Sequence, residues 1–552
     1  MRIAVLGHRS TQFLTKYLRQ AGLVNGLKLE IYEADYDQVD LEILNPQSGL
    51  YESQADAIFI IHSERKLRNQ FYALEGEQKR NFAQEILTIY EQQVEQIIAQ
   101  HSAQIIFTNL EILPDAIFGH FANQTSTAFL NQLRRINVGL MDLAEKHSAV
   151  HILDVASIAS QLGAEQFADP SLLINADVPY SRDTEAKIAW DCVQILNVMK
   201  GCLRKCLILD LDNTLWGGVI GDDGLEGIQL GNLGIGKAFT DVQKWVKQLQ
   251  ERGIILAICS KNTESIAKEA FEKHPDMVLG LEDIAVFVAN WSNKADNLRH
   301  IQQVLNIGFD SMVFLDDNPA ERELIRLSLP DILVPELPTD PARYLPFLSS
   351  LNLFETLSYS ANDQARTRQY QEEAKRRSQQ QAFTNMDDFL SSLEMKAHIT
   401  PFQDQQIPRI AQLTQRSNQF NLRTIRYSES DIKAIQQSDE YLTYAVSLQD
   451  KFGDYGLISV LILKKESATR LFIDTWLMSC RVLKRGVEKH VLNHLASDAH
   501  TLGFQEMVGE YLPTAKNQIV AEHYAELAFT SLSKNKWHLS LTNWQHIPHY
   551  IQ

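Results

Sequence analysis

The sequence predicts an α/β protein of several domains, and three observations carry that prediction. Short apolar runs alternate with helical periodicity through the first two thirds of the chain, the pattern of βαβ units and parallel sheets. Near Pro401 the pattern changes to longer strands of antiparallel type, so the last part is mixed α/β. At 552 residues the chain is also too long for a single hydrophobic core. The first domain, residues 1–195, holds the runs RIAVLG, LKLEIYEA, ADAIFIIH, AQIIFTNLE and VHILDV as strands. The second, residues 203–350, opens at CLILDLDNT and continues with IILAICS, DIAVFVAN and SMVFLDD, each followed by a helical pattern. Residues 351–400 include QYQEEAKRRSQQQ and read as an exposed linking helix. The third, residues 401–552, has the strands EYLTYAVSLQD, GLISVLILKK and TRLFIDTWLM, then a long helix from about Val482 to Leu502.

Composition narrows the function. With 45% apolar and 22% charged residues the chain reads as a folded protein. A formal charge of -17 argues against nucleic acid as a partner, because phosphate neutralisation needs a basic surface. The start MRIAVLGH lacks the features of a signal peptide, and no apolar run reaches the roughly 18 residues of a membrane span, so the expected location is the cytoplasm without a membrane partner. The five cysteines follow no pairing or zinc spacing.

Carboxylates mark the candidate site. The strand CLILDLDNTLW delivers Asp210 and Asp212 just past its end, and residues two apart on an extended strand share a face. Asp316 and Asp317 end the strand SMVFL in the same manner. Such a cluster repels itself unless a cation lies within it, and all-oxygen ligation suits Mg²⁺. Ser260, at the end of IILAICS, and Lys294, in NWSNKADN, can each hold an anionic oxygen, so a phosphoryl group fits between them.

DLDNTLW, CSKN, Lys294 and LDDNPAER resemble the four motifs of the haloacid-dehalogenase (HAD) superfamily. The resemblance implies a Rossmann-like domain in which Asp210 is the nucleophile that forms an aspartyl-phosphate and Asp212 the general acid and then base. It also implies that Ser260 and Lys294 hold the phosphoryl oxygens. Asp210, the main-chain carbonyl of Asp212 and either Asp316 or Asp317 would ligate Mg²⁺. About 50 residues separate Asp210 from Ser260 and 34 separate Ser260 from Lys294, so no large cap domain fits and the site is expected to be open. The glycines of WGGVIGDDGLEGI suggest a short flap or a set of tight turns.

The longer run LDLDNTLWGGVIGDDGLEGIQLG resembles the FkbH-like group of HAD subfamily IIIC, and so do LTQRSNQFNLRT, DKFGDYGLIS, WLMSCRVLKRGVE and GEYLPTAKN in the third domain. The element order of that domain is similar to the GNAT acyltransferase fold, in which SCRVLKRGVE falls where amides cradle a pantetheine-linked pyrophosphate, with Arg481, Arg485 and Gly486 as the binding residues. Lys484 stands where such loops have glycine, which disfavours acetyl-CoA and leaves a phosphopantetheine arm. The FkbH resemblance implies conversion of 1,3-bisphosphoglycerate, a phosphorylated three-carbon substrate, into a D-glyceryl thioester on an acyl carrier protein. An enzyme thiol would carry the acyl group, and the candidates are Cys480 and Cys259. The alternative is a phosphatase of another phosphorylated metabolite, with the third domain transferring a different acyl group.

Arg423, Arg426, Arg481, Lys484, Arg485 and Lys489 make the third domain locally basic, either as a steering surface for an acidic carrier protein or as a solvated face. In the first domain, LGHRST and FADPSLL resemble a degenerate SGNH hydrolase. His8 and Arg9 displace Ser10, and Leu172 stands where a histidine would follow Asp169, so a structural or docking role is expected.

Overall fold

The computed structural model describes residues 1–112, 117–359, 369–370, 372, 385–479, 482–542 and 544–552. The chain divides into two compact units, Met1–Met199 and Lys200–Gln552. Residues 360–368, 371 and 373–384 of the expected linking helix lie outside the described residues, as do Cys480 and Arg481.

The first unit is built on five strands, β1 (Arg2–Gly7), β2 (Glu30–Glu33), β3 (Ala57–Ile61), β4 (Gln104–Thr108) and β5 (Val150–Leu153). They pair in the order β2-β1-β3-β4-β5, and every pairing is parallel. All five residues of β3 are buried, as an unbroken AIFII run requires when helices cover both faces of a sheet. Helix Gln12–Val24 packs on Arg182–Met199, and Gln78–Gln100 packs on Phe129–Lys146.

Internal polar contacts fill the strand-exit edge of this sheet. Arg9 follows β1 and is 2% exposed; its Nη1 lies 2.6 Å from Glu185 Oε1, its guanidinium sits 4.5 Å from the centre of the Tyr180 ring, and Tyr180 donates to Glu111 at 2.8 Å. The Ser10 carbonyl accepts from Arg9. Asp169 caps helix Pro170–Ala176 by accepting from the amides of Ser171 and Leu172. No serine–histidine pair is built from Ser10 and Leu172, because the second position carries no titratable group.

In the second unit, β6 (Cys206–Leu209), β7 (Ile255–Ser260), β8 (Ile284–Ala289) and β9 (Met312–Leu315) form a parallel sheet of order β8-β7-β6-β9. Further on, β10 (Lys396–Thr400), β11 (Tyr441–Asp450), β12 (Gly453–Lys465), β13 (Arg470–Met478), β14 (Glu506–Glu510), β15 (Thr530–Ser533) and β16 (Lys536–Ser540) form a mixed sheet of order β10-β11-β12-β13-β14-β16-β15. Only β13 and β14 pair in parallel, and the buried helix Val487–Thr501 makes the crossover such a pair needs. That helix starts five residues later than the sequence suggests, because Lys484 and Gly486 adopt φ of 62° and 78° and form a turn ahead of it.

Glu185→Gln leaves Arg9 buried without its counter-charge, at a cost of about 3 kcal/mol. Amide exchange in β3 and β4, followed by mass spectrometry on the full chain, is expected to speed up by about 100-fold while β6 to β9 stay unchanged.

Candidate active site

Register brings the carboxylates together. β6 and β9 are neighbours with Leu209 opposite Leu315, so the next residues, Asp210 and Asp316, leave the sheet side by side. The Asp210 amide still donates to the Leu315 carbonyl at 2.9 Å. On the other flank of β6, β7 ends at Ser260. The helix after β8 begins at Lys294, with Asn293 capping it through the Ala295 amide. Residues far apart in sequence thus meet at the exit edge of one parallel sheet, where open α/β sheets place ligands.

One carboxylate oxygen each from Asp210, Asp316 and Asp317 lies within 4.8 Å of the others. Lys294 Nζ is 2.9 Å from Asp210 Oδ2 and 2.5 Å from Asp316 Oδ2, all three side chains being buried. Burial, then the charge of Asp210, pushes Asp316 and Asp317 up to about 6. Burial opposes the charge on Lys294, but Asp210 and Asp316 outweigh it and raise its pKa. Asp210 Oδ1 is buried and has no hydrogen-bond partner among the described residues. Three carboxylates against one ammonium, with an unpartnered oxygen among all-oxygen donors, fit a hard divalent cation.

Asp212 faces elsewhere. Its Oδ1 accepts from Trp216 Nε1 at 2.9 Å and from the Ile220 amide at 3.1 Å, and its Oδ2 accepts from Asn262 Nδ2 at 2.9 Å. The same Asn262 nitrogen lies 3.3 Å from Ser260 Oγ. Asp212 is therefore held apart from the three-carboxylate cluster, and only its main-chain carbonyl is left to serve a cation there. Thr214, whose hydroxyl accepts from the Asp317 amide at 3.1 Å, and Arg322, which donates to the carbonyls of Asp316 and Asp317, fix the far side.

The glycine-rich stretch is a hydrogen-bonded flap. Gly217 and Gln229 exchange both main-chain bonds, at 3.1 and 2.8 Å, and between them Ile220–Gly227 forms two helical turns broken at Gly224, whose φ is 69°. Gly218, at φ of 91°, occupies a conformation that disfavours other residues. Between Ser260 and Lys294 the chain forms one helix, a short 3₁₀ turn and β8, with no additional domain.

Three expectations are corrected. Cys259 is fully buried in the apolar cluster of Ile208, Ala257 and Phe314, its thiol 3.8 Å from the Lys294 carbonyl, and burial raises its pKa. Strand alternation turns it into the core beside Ser260, so it is not placed to carry an acyl group. Arg485 is also buried: it donates to the Tyr455 hydroxyl, lies 3.5 Å from Asp450 and covers the Tyr455 ring, so it braces the β11–β12 hairpin and does not face a pyrophosphate. Arg423 is likewise engaged, with Asp474 at 2.7 Å and Glu510 at 2.9 Å, and Arg426 donates to main-chain carbonyls including Thr414 at 3.0 Å. The expected basic surface thus loses Arg423, Arg426 and Arg485, while Lys484 stays exposed. Gly486 is the N-cap of helix Val487–Thr501.

Sequence reasoning passed over Asn262, Trp216, Thr214 and Arg322, although all four fall within or beside the motif stretches. The available signal was that a polar or indole side chain at a strand exit needs a partner when the neighbouring exits carry carboxylates.

A parallel α/β core with Asp-x-Asp after an inner strand and Asp-Asp after its neighbour defines a class of acidic-site α/β proteins. The FkbH N-terminal domain model matches residues 2–197. The N-terminal part of the protein BF1531 from Bacteroides fragilis, containing a phosphatase domain and crystallised with Mg, is 44% identical, with 65% of this chain and 95% of that one covered at a TM-score of 0.63. The chain belongs to the FkbH-like family. The ribosomal-protein-S18-alanine N-acetyltransferase of Escherichia coli matches 28% of this chain and 99% of its own at 14% identity, with a TM-score of 0.22, too low to assign a fold. A search of the curated proteins found no match.

Lys294→Met removes the cation shared by Asp210 and Asp316. In metal-free urea unfolding the variant is expected to lose about 3 kcal/mol at pH 8, and less at pH 5, where protonation relieves the repulsion.

Proposed function

We propose that this chain is a Mg²⁺-dependent phosphatase coupled to an acyltransferase, which forms a D-glyceryl thioester on an acyl carrier protein from 1,3-bisphosphoglycerate. The phosphatase half rests on one observation: a buried Asp210 with an unpartnered oxygen stands beside Lys294 and Ser260, while Asp212 is held separately by Trp216 and Asn262. The similar phosphatase domain crystallised with Mg supports the same reading.

Asp210, the carbonyl of Asp212 and Asp316 or Asp317 would hold Mg²⁺, which when bound offsets the charge of the carboxylates and of the phosphoryl oxygens. Lys294 and the Ser260 hydroxyl hold those oxygens, and Asp210 attacks phosphorus to give an aspartyl-phosphate. Asp212 gives a proton to the departing oxygen and then takes one from the water that releases phosphate. Its three hydrogen bonds keep its side chain from binding the cation.

The acyl half rests on the third-domain motifs and on thioester chemistry. A thiolate attacks the carbonyl of the acyl phosphate, the C–O bond to phosphate breaks, and inorganic phosphate leaves with the electron pair. That leaves a 3-phosphoglyceryl thioester; hydrolysis of its phosphate ester at the carboxylate site, before or after transfer, gives the glyceryl group, and the acyl group passes to the pantetheine thiol of the carrier protein, whose proton goes to the enzyme thiolate. With Cys259 buried, Cys480 is the proposed carrier.

Intact-mass spectrometry after incubation with Mg²⁺, 1,3-bisphosphoglycerate and phosphopantetheinylated carrier protein tests the whole. The expected result is a glyceryl adduct that moves to the carrier, is lost in Cys480→Ala and is kept in Cys259→Ala. Phosphate release without any adduct would leave a phosphatase of another metabolite. Asp210→Asn is expected to lower phosphatase kcat by at least about 10³-fold and Asn262→Ala by about tenfold.

Metal binding adds a pH test. Asp316 and Asp317 sit near pKa 6, raised from 3.8, so protons compete with the cation below pH 6. The rise in thermal midpoint on adding Mg²⁺ is expected to be large at pH 7 and to shrink toward pH 5.

A further inference from the structure

The rim of the carboxylate site carries a tryptophan that the proposed chemistry does not use. Trp291 is 74% exposed, more than any other tryptophan of the chain, although a large apolar ring gains most from burial. Its place is set by the two residues that hold the phosphoryl oxygens. Ala289, the last residue of β8, pairs with Ser260, and the Asn290 amide donates to the Ser260 carbonyl at 3.1 Å. Lys294 follows Trp291 by three residues, so their Cα atoms are at most ~11 Å apart.

The segment that carries the indole is pinned from both ends. Asn290 and Asn297 exchange side-chain bonds at 3.2 and 2.9 Å, and Asn290 Oδ1 also accepts from the Ser292 amide at 2.9 Å. Asn293 then caps the next helix through the Ala295 amide at 2.7 Å. A ring with two torsions on a backbone held in this way makes contact at little entropic cost. The charge around it has one sign. The flap, residues 217–229, carries the exposed Asp222, Asp223 and Glu226 and has no lysine or arginine, and its Ile220 amide is bonded to Asp212. A substrate whose organic part ends in a carboxylate is repelled by these groups, whereas a neutral chain is not.

We propose that the organic part of the phosphate ester rests on Trp291, and that Trp291 and the acidic flap together make the carboxylate site select phosphate esters of neutral acyl thioesters over those of free carboxylic acids. The inference rests on the phosphatase reaction proposed above and names its substrate class. In that step the ester O–P bond breaks, the alcohol oxygen takes a proton from Asp212, phosphorus passes to Asp210 and then to water, and the C–S bond stays intact. The selection also sets an order: the phosphorylated three-carbon acid is passed over until its carboxyl carbon is in thioester linkage.

The test compares 3-phosphoglycerate with its N-acetylcysteamine thioester on the full chain with Mg²⁺, read by phosphate release. The wild type is expected to show a kcat/KM at least about tenfold higher for the thioester. Trp291→Ala is expected to bring the two substrates within about twofold by lowering the thioester value, and Trp291→Phe to keep most of the preference. A second readout needs no turnover: the change in indole emission on adding the thioester to Asp210→Asn is expected to disappear in the Asp210→Asn/Trp291→Phe double variant. Equal kcat/KM for the two substrates in the wild type, equal losses on both in Trp291→Ala, or an emission change that remains in full without Trp291 overturns the inference and leaves the phosphatase standing. Phosphate release from neither substrate sinks the phosphatase reading, and the inference with it.

Discussion

The parallel pairing of β6 with β9 is the constraint from which the catalytic region follows. In-register parallel neighbours release their chains at the same level, so two acidic strand ends become one concentrated negative charge. Every other feature of the site answers that charge: Lys294 bridges two carboxylates, Arg322 grips the carbonyls of the Asp316–Asp317 turn, and an unpartnered Asp210 oxygen faces inward. A site balanced only by Lys294 would remain strained, and that residual charge gives a divalent cation its place.

The same edge separates two kinds of acid. Asp210, Asp316 and Asp317 converge, whereas Asp212, two residues from Asp210, is drawn off by an indole, an amide and a carboxamide. Nucleophile and proton-transfer group thus start from one strand and are sorted by their hydrogen-bond donors. Trp216 belongs to the flap and Asn262 to the turn after β7, so the sorting depends on the flap being in its hydrogen-bonded form.

The parallel sheets and the carboxylate edge were legible in the sequence because they rest on strong local signals: unbroken apolar runs and acidic residues at their ends. Side-chain direction at strand ends was not. Cys259 and Ser260 are adjacent in sequence, yet alternation sends one into the core and the other to the site, and the last paired residue decides which. Arg485 and Arg423 read as a basic face because charge in a sequence carries no record of its partners; both lie in loops, while Asp450, Asp474 and Glu510 lie on three strands of one sheet. The left-handed turn at Lys484 and Gly486 delayed the long helix for the same reason, since periodicity continues through a turn that backbone geometry breaks.

The Arg9–Glu185 pair joins positions 176 residues apart within the first unit. Nearly the whole length of that unit lies between the two charges, and its interior has to close around both of them together. The pair thereby makes the edge at the first strand's exit depend on the last helix of the unit, Arg182–Met199.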